Sequence, residues 1–320
     1  MAYQAGVLRA LRDVGSYDAR TADHIIGTSG GAVTGAYLAL NRRPEQVARL
    51  TYNATPPYAT RAVTSELNMV RAWSSPTDLA RRVVGSSSVM ARSLVHAATP
   101  ESFRRMTGFI PARTPQTLSR LFPGWLFDPE VEAVSTHIPE EWPDRTVWLV
   151  AFDINTRKRI ALGRREDRPA FDKAVMASCA VPALIRPVRW GDRVLVDGGT
   201  TSATNLDLAA HTHARAVIAI APMAYDPGNR PGPVRSALRH RYNREIAREA
   251  RVVRHSGAQL LVFRPGATEL RHHPNNMLAV RGNHEVEESA YVAASAQLRT
   301  PGALRFLETV HAGTGRRVEP

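Results

Sequence analysis

Apolar and polar positions sort this chain into helices and strands before any motif is considered. Residues 3–11 place Val7, Leu8 and Leu11 on one side, the spacing of an amphipathic helix. Residues 23–26 are a short apolar strand, and the Ala- and Leu-rich stretch 33–40 reads as a helix. Pro44 opens a further helix (PEQVARLTYNA), since proline is pre-organised for a first helical turn. From residue 56 to about 141 the periodicity breaks up. Pro76, Pro100, Pro111, Pro115 and Pro123 interrupt short helical pieces, and a Gly-Ser run spans 85–88. Proline removes a backbone donor and clashes with the preceding turn, so this region is expected to be a helical insertion and not a sheet core.

Strand patterns return at 146–152 (TVWLVAF) and 159–162. A helix at 170–178 must stop at Val181-Pro182, because the residue before proline avoids the helical region. Residues 186–190 and 193–196 flank Gly191-Asp192 as a hairpin, and 205–211 read as helix. The apolar run 214–220 suits a buried parallel strand. A long helix at 236–256, a strand at 259–263 and helices at 285–298 and 301–311 follow. Such alternation predicts an α/β three-layer sandwich with a mainly parallel central sheet. We expect a single domain over 1–320, with the helical insertion at about 56–141 and a C-terminal strand and helices at about 236–312.

Composition narrows the picture. The chain has 320 residues, 43% apolar and 22% charged, values ordinary for a globular protein. Formal charge is +13, and every basic residue except Lys158 and Lys173 is arginine. That excess attracts anionic surfaces. No zinc-finger spacing, aromatic RNP-like segment or lysine-bearing phosphate loop accompanies it, so an anionic membrane is the expected partner and nucleic acid is not. The lone cysteine, Cys179, excludes an internal disulfide and suits a reducing compartment. The start lacks a basic segment followed by an apolar run, so no signal peptide is expected. Apolar stretches such as 216–224 are roughly half the length needed to cross a bilayer. A cytoplasmic or peripheral membrane location is the expectation.

Candidate chemistry starts at Gly27-Thr28-Ser29-Gly30-Gly31, set between strand and helix. This Gly-x-Ser-x-Gly turn forces the serine into a strained conformation that exposes its hydroxyl. Gly27 and Gly31 are expected to lack side chains because strand and helix backbones pass too close there. The following helix aims its N-terminal amides at the site, favouring developing negative charge. Only 26 residues precede Gly27, whereas in an ordinary α/β-hydrolase the elbow follows on the order of 100 residues of strands and loops. A Ser-His-Asp hydrolase of that fold is thus disfavoured.

A serine hydroxyl needs a base. Asp197 ends the apolar strand Val194-Leu195-Val196 and precedes Gly198 and Gly199, at the carboxyl end of a strand where α/β folds place chemistry. The same Asp-Gly-Gly also reads as a turn that merely closes a strand. Histidines 272, 273 and 284 leave a triad open as a lesser option, and Asp153 in AFDINT is a possible second carboxylate or a turn former. His211 and His213 are too closely spaced to share a metal on one helix face. Cys179 reads as a packing residue. Trp73, Trp125 and Phe127 could contact acyl chains or pack the insertion. Arg241, Arg244, Arg248, Arg251 and His255 recur at helical spacing opposite Leu238, Tyr242, Ile246 and Val253, which reads either as a solvated face or as a lipid-headgroup surface.

The pair GTSGGA and VDGG resembles the patatin-like phospholipase family. So do AVMASCAVPALIRPVRWGDRVLVDGGTTSATNLDLA and the opening AYQAGVLRAL. The resemblance covers most of residues 2–222, more weakly across the insertion. It implies a Ser-Asp dyad without histidine, Ser29 the nucleophile and Asp197 its general base. It also implies hydrolysis of carboxylic esters of phospholipids or other acyl lipids through an acyl-enzyme, with no metal or other cofactor. The family carries a Gly-rich oxyanion loop just before its first helix, whereas this sequence starts at Met1-Ala2-Tyr3, inside or after that loop. We expect the loop and its strand to lie upstream of Met1. The alternative is a non-catalytic lipid-binding or interaction protein of the same fold, with the Gly30 N–H the one oxyanion donor still identifiable.

Overall fold

Where Ser29 and Asp197 sit is decided by two strand ends, and these belong to different parts of the molecule. The computed structural model describes residues 1–43, 45–46, 138–181, 187–228, 233–272 and 282–314. The chain divides into two compact units: Met1–Asn53 with Pro143–Leu149 and Ser202–Pro320, and Ala54–Trp142 with Val150–Thr201. The helix expected from Pro44, nearly all of the Pro-rich insertion, and Trp73, Trp125, Phe127, Pro182, Arg186 and His273 lie outside the described residues.

In the first unit, α1 (Ala2–Asp13) forms where the apolar spacing places it and buries Val7, Leu8 and Leu11. It packs on α6 (Asn283–Leu298). Arg9 pins that contact, pairing with Glu287 at 2.8 Å and Glu288 at 2.5 Å while its guanidinium lies 4.7 Å from the centre of the Tyr291 ring. The short strand β1 (His24–Thr28) feeds α2 (Gly30–Ala39), whose run Ala32 to Ala39 is buried. Two strands, β6 (Ala216–Ile220) and β7 (Gln259–Phe263), pair in parallel from Ala216 opposite Gln259 to Ile220 opposite Phe263. The long helix α4 (Pro233–His255) joins them, a crossover of the kind parallel strands require. Its Ile246, Ala250 and Val253 pack with Leu206, Ala219 and Ala258, and with Ile26 of β1, into one apolar cluster. The unit closes with α5 (Ala267–His272) and α7 (Pro301–Thr314).

In the second unit, the latter half of β2 (Thr146–Asp153), β3 (Lys158–Leu162), α3 (Phe171–Cys179), β4 (Val188–Trp190) and β5 (Arg193–Asp197) follow in order. β5 runs antiparallel to both neighbours, with Ala151 opposite Asp197 and Val188 opposite Leu195. The expected hairpin about Gly191-Asp192 therefore forms. β2 is divided between the units, residues 146–149 belonging to the first and 150–153 to the second. The α3 helix buries Phe171, Ala174 and Val175, and its Ser178 Oγ donates to the Val150 carbonyl at 2.6 Å.

The class is α/β of the three-layer sandwich kind, with mixed sheets that include parallel strands. The helix read at 205–211 is a 3-10 helix, Leu206–Thr212. His272 is the last residue of α5.

Candidate active site

The elbow is built by one close approach. A Cβ on Gly27 would fall 2.5 Å from the Gly31 carbonyl oxygen and 2.7 Å from Ala32 Cα, so β1 and α2 meet backbone to backbone there. Only glycine permits this. The reason differs at Gly31, whose own Cβ would face Gln4 Nε2 of α1 at 3.3 Å and not the strand. Gly30 is roomier still, its nearest neighbour 3.5 Å away.

Between these glycines Ser29 adopts φ 54° and ψ −126°, a sparsely populated conformation for a residue with a side chain. It holds the N-cap position of α2, and its carbonyl accepts from Ala32 N at 2.7 Å. A serine at an N-cap ordinarily adopts extended dihedrals and turns its hydroxyl onto the helix amides. Here the hydroxyl makes no capping bond.

Gln4, Thr34 and Asn205 tie the elbow to its surroundings, and Glu249 anchors the turn that carries Asn205. Thr34 Oγ1 donates to Gln4 Oε1 at 2.8 Å and to the Gly30 carbonyl at 3.0 Å, tying α1 to the first turn of α2. Asn205, fully buried, donates from Nδ2 to Thr28 Oγ1 at 3.0 Å and to the Ser202 carbonyl at 2.7 Å. Glu249 of α4 accepts from Thr204 Oγ1 at 2.5 Å and from Leu206 N at 2.9 Å. Burial raises the Glu249 carboxyl above its ordinary pKa, hydrogen bonds from Ser202, Thr204 and the Leu206 amide pull it back down, and the Asp207 charge pushes it up.

In the second unit, Asp197 ends β5 and is 4% exposed. Its amide donates to the Ala180 carbonyl at 2.9 Å, and its Oδ1 accepts from Gly199 N at 2.7 Å. That bond caps the 3-10 turn Gly198–Thr200. A Cβ on Gly198 would sit 2.4 Å from the Val150 carbonyl, and one on Gly199 3.0 Å from Asp197 Oδ1. So the Asp-Gly-Gly sequence does close its strand, and it does so by fixing the carboxylate. Cys179 lies near: burial and then the Asp197 charge raise its thiol pKa, which keeps it protonated and poorly nucleophilic.

The remaining candidates resolve simply. Asp153 is fully buried and accepts from Asn155 N at 3.0 Å, Thr156 Oγ1 at 2.7 Å and Val194 N at 3.3 Å, a side-chain turn that holds the β2–β3 corner. His211, His213, His272 and His284 are exposed. On α4, Arg241 is partly buried and pairs with Glu245 at 2.7 Å, whereas Arg244, Arg248, Arg251 and His255 are exposed. Ile246 and Val253 face the core. Among the described residues, no three His, Cys, Asp or Glu side chains converge as a metal site, and no helix is long and apolar enough to cross a membrane.

Comparison with known sequences gives one finding. A family model described as patatin-like phospholipase matches residues 1–210, a span that takes in both the elbow and the Asp197 turn. A search of curated proteins returns no match.

Proposed function

The chain belongs to the patatin-like phospholipase family, a family of lipid acyl hydrolases, and from that premise we propose that it is a serine acyl hydrolase acting through Ser29 and Asp197. Its substrates are carboxylic esters of phospholipids or other acyl lipids. The observation that carries this reading is Ser29 itself: a short strand runs into it, a helix starts from it, its dihedrals of 54° and −126° are strained, and its hydroxyl makes no capping bond.

In this reading the Asp197 carboxylate takes the Ser29 proton as Oγ attacks the ester carbonyl. The tetrahedral oxyanion gathers next to the first turn of α2, where the Gly30 N–H is the donor from this chain and the helix dipole favours negative charge. Collapse breaks the ester bond, and the proton on Asp197 passes to the departing alcohol. Water then loses a proton to Asp197 as it attacks the acyl carbon, and that proton returns to Ser29 Oγ as the acyl–oxygen bond breaks, releasing the carboxylic acid. The turn that fixes Asp197 Oδ1 against Gly199 N keeps the carboxylate in one orientation throughout.

The exposed Arg244, Arg248, Arg251 and His255 of α4 form the basic surface that would rest on anionic headgroups. Co-sedimentation with phosphatidylserine vesicles tests this part, and binding unchanged on replacing all four with glutamine removes it.

Hydrolysis of a phospholipid vesicle and of a soluble short-chain ester is the direct assay. Ser29→Ala and Asp197→Asn should each abolish turnover of both substrates. Turnover by Ser29→Ala at the wild-type rate contradicts the assignment.

A further inference from the structure

Asn205 has the features of a residue held in place for a purpose beyond filling space. It is a non-glycine residue in the left-handed region, φ 49° and ψ 34°, which asparagine tolerates better than most. It is fully buried. Its Nδ2 spans 2.7 Å to the Ser202 carbonyl and 3.0 Å to Thr28 Oγ1. A carbonyl can only accept, so the amide nitrogen must face this pair, and Thr28 Oγ1 is the acceptor. Its backbone is equally engaged: Asn205 N donates to Ser202 Oγ at 3.1 Å, and Leu208 N donates to the Asn205 carbonyl at 3.2 Å.

Thr28 is the residue immediately before Ser29. One side-chain amide thus ties the last residue of β1 to a turn 177 positions away in sequence. That turn is anchored in its own right, since Glu249 accepts from Thr204 Oγ1 and Leu206 N on either side of Asn205. The arrangement matters because Ser29 carries unfavourable dihedrals, which persist only where the surroundings over-determine them. β1 is five residues long, and the peptide before Ser29 would relax if its strand end were free.

We propose that Asn205 is a positioning residue for Ser29, with Thr28 Oγ1 the contact through which it acts and Glu249 the support for its turn. The proposal rests on Ser29 being the nucleophile. It predicts that loosening the tie slows acylation without weakening substrate capture, because a displacement of about 1 Å at a reacting atom costs on the order of 100-fold in rate.

The experiment uses the full 320-residue chain, a soluble short-chain ester and a fluorophosphonate probe, with label position mapped by peptide mass. Asn205→Gly keeps the left-handed backbone and deletes the amide. Thr28→Val keeps the shape and deletes the acceptor. Thr28→Ser restores an acceptor. Asn205→Gly and Thr28→Val should each lower kcat and the Ser29 labelling rate about 10- to 100-fold with KM unchanged, and the double variant should lose little more than either alone. Thr28→Ser should recover most of the rate lost in Thr28→Val.

Wild-type protein labelled at Ser29, with both variants labelled as fast, overturns the positioning role and leaves the proposed function standing. A loss seen only in KM, or an equal loss in Thr28→Val and Thr28→Ser, overturns it too. Wild-type protein that is active and labelled elsewhere overturns the proposed function, and the positioning role falls with it. Should Asn205→Gly not fold, the Thr28 pair decides the matter alone.

Discussion

Ser29 and Asp197 both sit at the end of a short strand, yet the molecule holds them by opposite means. The Asp197 carboxylate is held within its own turn by the amide of Gly199, while the backbone around it is seated on Ala180 and on Val150 of the adjacent strand. Ser29 is fixed from a distance. Gln4 and Thr34 bond across its first helical turn, and Asn205 secures the residue before it. The difference follows from strain. An aspartate that accepts from the amide two residues on is in a comfortable local arrangement. A serine at φ 54° is not, and needs tertiary contacts to stay there.

Breaking the chemistry at either end gives the largest effects. Ser29→Ala should cost about 10⁴-fold or more in kcat, and Asp197→Asn a comparable amount, because members of such a unit fail together. Initial rates on a short-chain ester check both, and equal losses for the double variant would show one shared role. A difference of several orders between the two single variants would separate them.

Next come the glycines, which sharpen the comparison in stability instead of rate. Gly27→Ala and Gly198→Ala each drive a methyl into a backbone carbonyl, at 2.5 Å and 2.4 Å. Each should destabilise by about 3 kcal/mol, lowering the thermal midpoint by roughly 5 °C or more. Gly30→Ala should leave the midpoint nearly unchanged. Its nearest neighbour is 3.5 Å away and its φ is not in the left-handed region, while alanine is favoured over glycine by about 1 kcal/mol in a helix. Equal destabilisation at Gly27 and Gly30 would break the account of the elbow.

The smallest effect concerns the distant support. Glu249 has its pKa raised in the folded state, chiefly by burial, so the folded chain binds that proton more tightly than the unfolded chain. The stability it contributes is full below the ordinary carboxylate range and declines as pH rises through the raised folded value. Glu249→Gln removes that decline. Its thermal midpoint relative to wild type should therefore rise as pH goes from about 4 to 8, and a constant difference across the range contradicts the reading. Nothing on the Asp197 turn should respond.

This contrast also explains what could be read from the sequence. The class, the order of strands and helices, and the hairpin about Gly191 follow from apolar periodicity and turn residues, which act over a few positions. The Asp-Gly-Gly turn is equally local: it closes β5, with Asp197 Oδ1 accepting from Gly199 N. Gly27 was legible for the same reason, since its partners Gly31 and Ala32 are only a few residues on. Asn205 was not. TSATNLDLA reads as an ordinary polar turn entering a helix, and nothing in it points to Thr28. Glu249 likewise looks like one more charge on an Arg-rich helix, because its partners Thr204 and Leu206 are brought to it only by packing of the first unit's core. On the basic face of α4, Arg241 pairs with Glu245, a contact that the helical spacing alone leaves undecided. At Gly31 the expected clash of a side chain with the strand is absent: its Cβ would meet Gln4 Nε2, the end of a flexible side chain, at 3.3 Å.

The central claim is that Ser29 is held as an activated nucleophile. The most direct measurement is treatment of the folded chain with a fluorophosphonate, followed by peptide mass mapping, with Ser29→Ala alongside. The account predicts a single adduct on the peptide containing Ser29, lost in Ser29→Ala and strongly slowed in Asp197→Asn. Folded protein that takes no label, or takes it equally in Ser29→Ala, contradicts it.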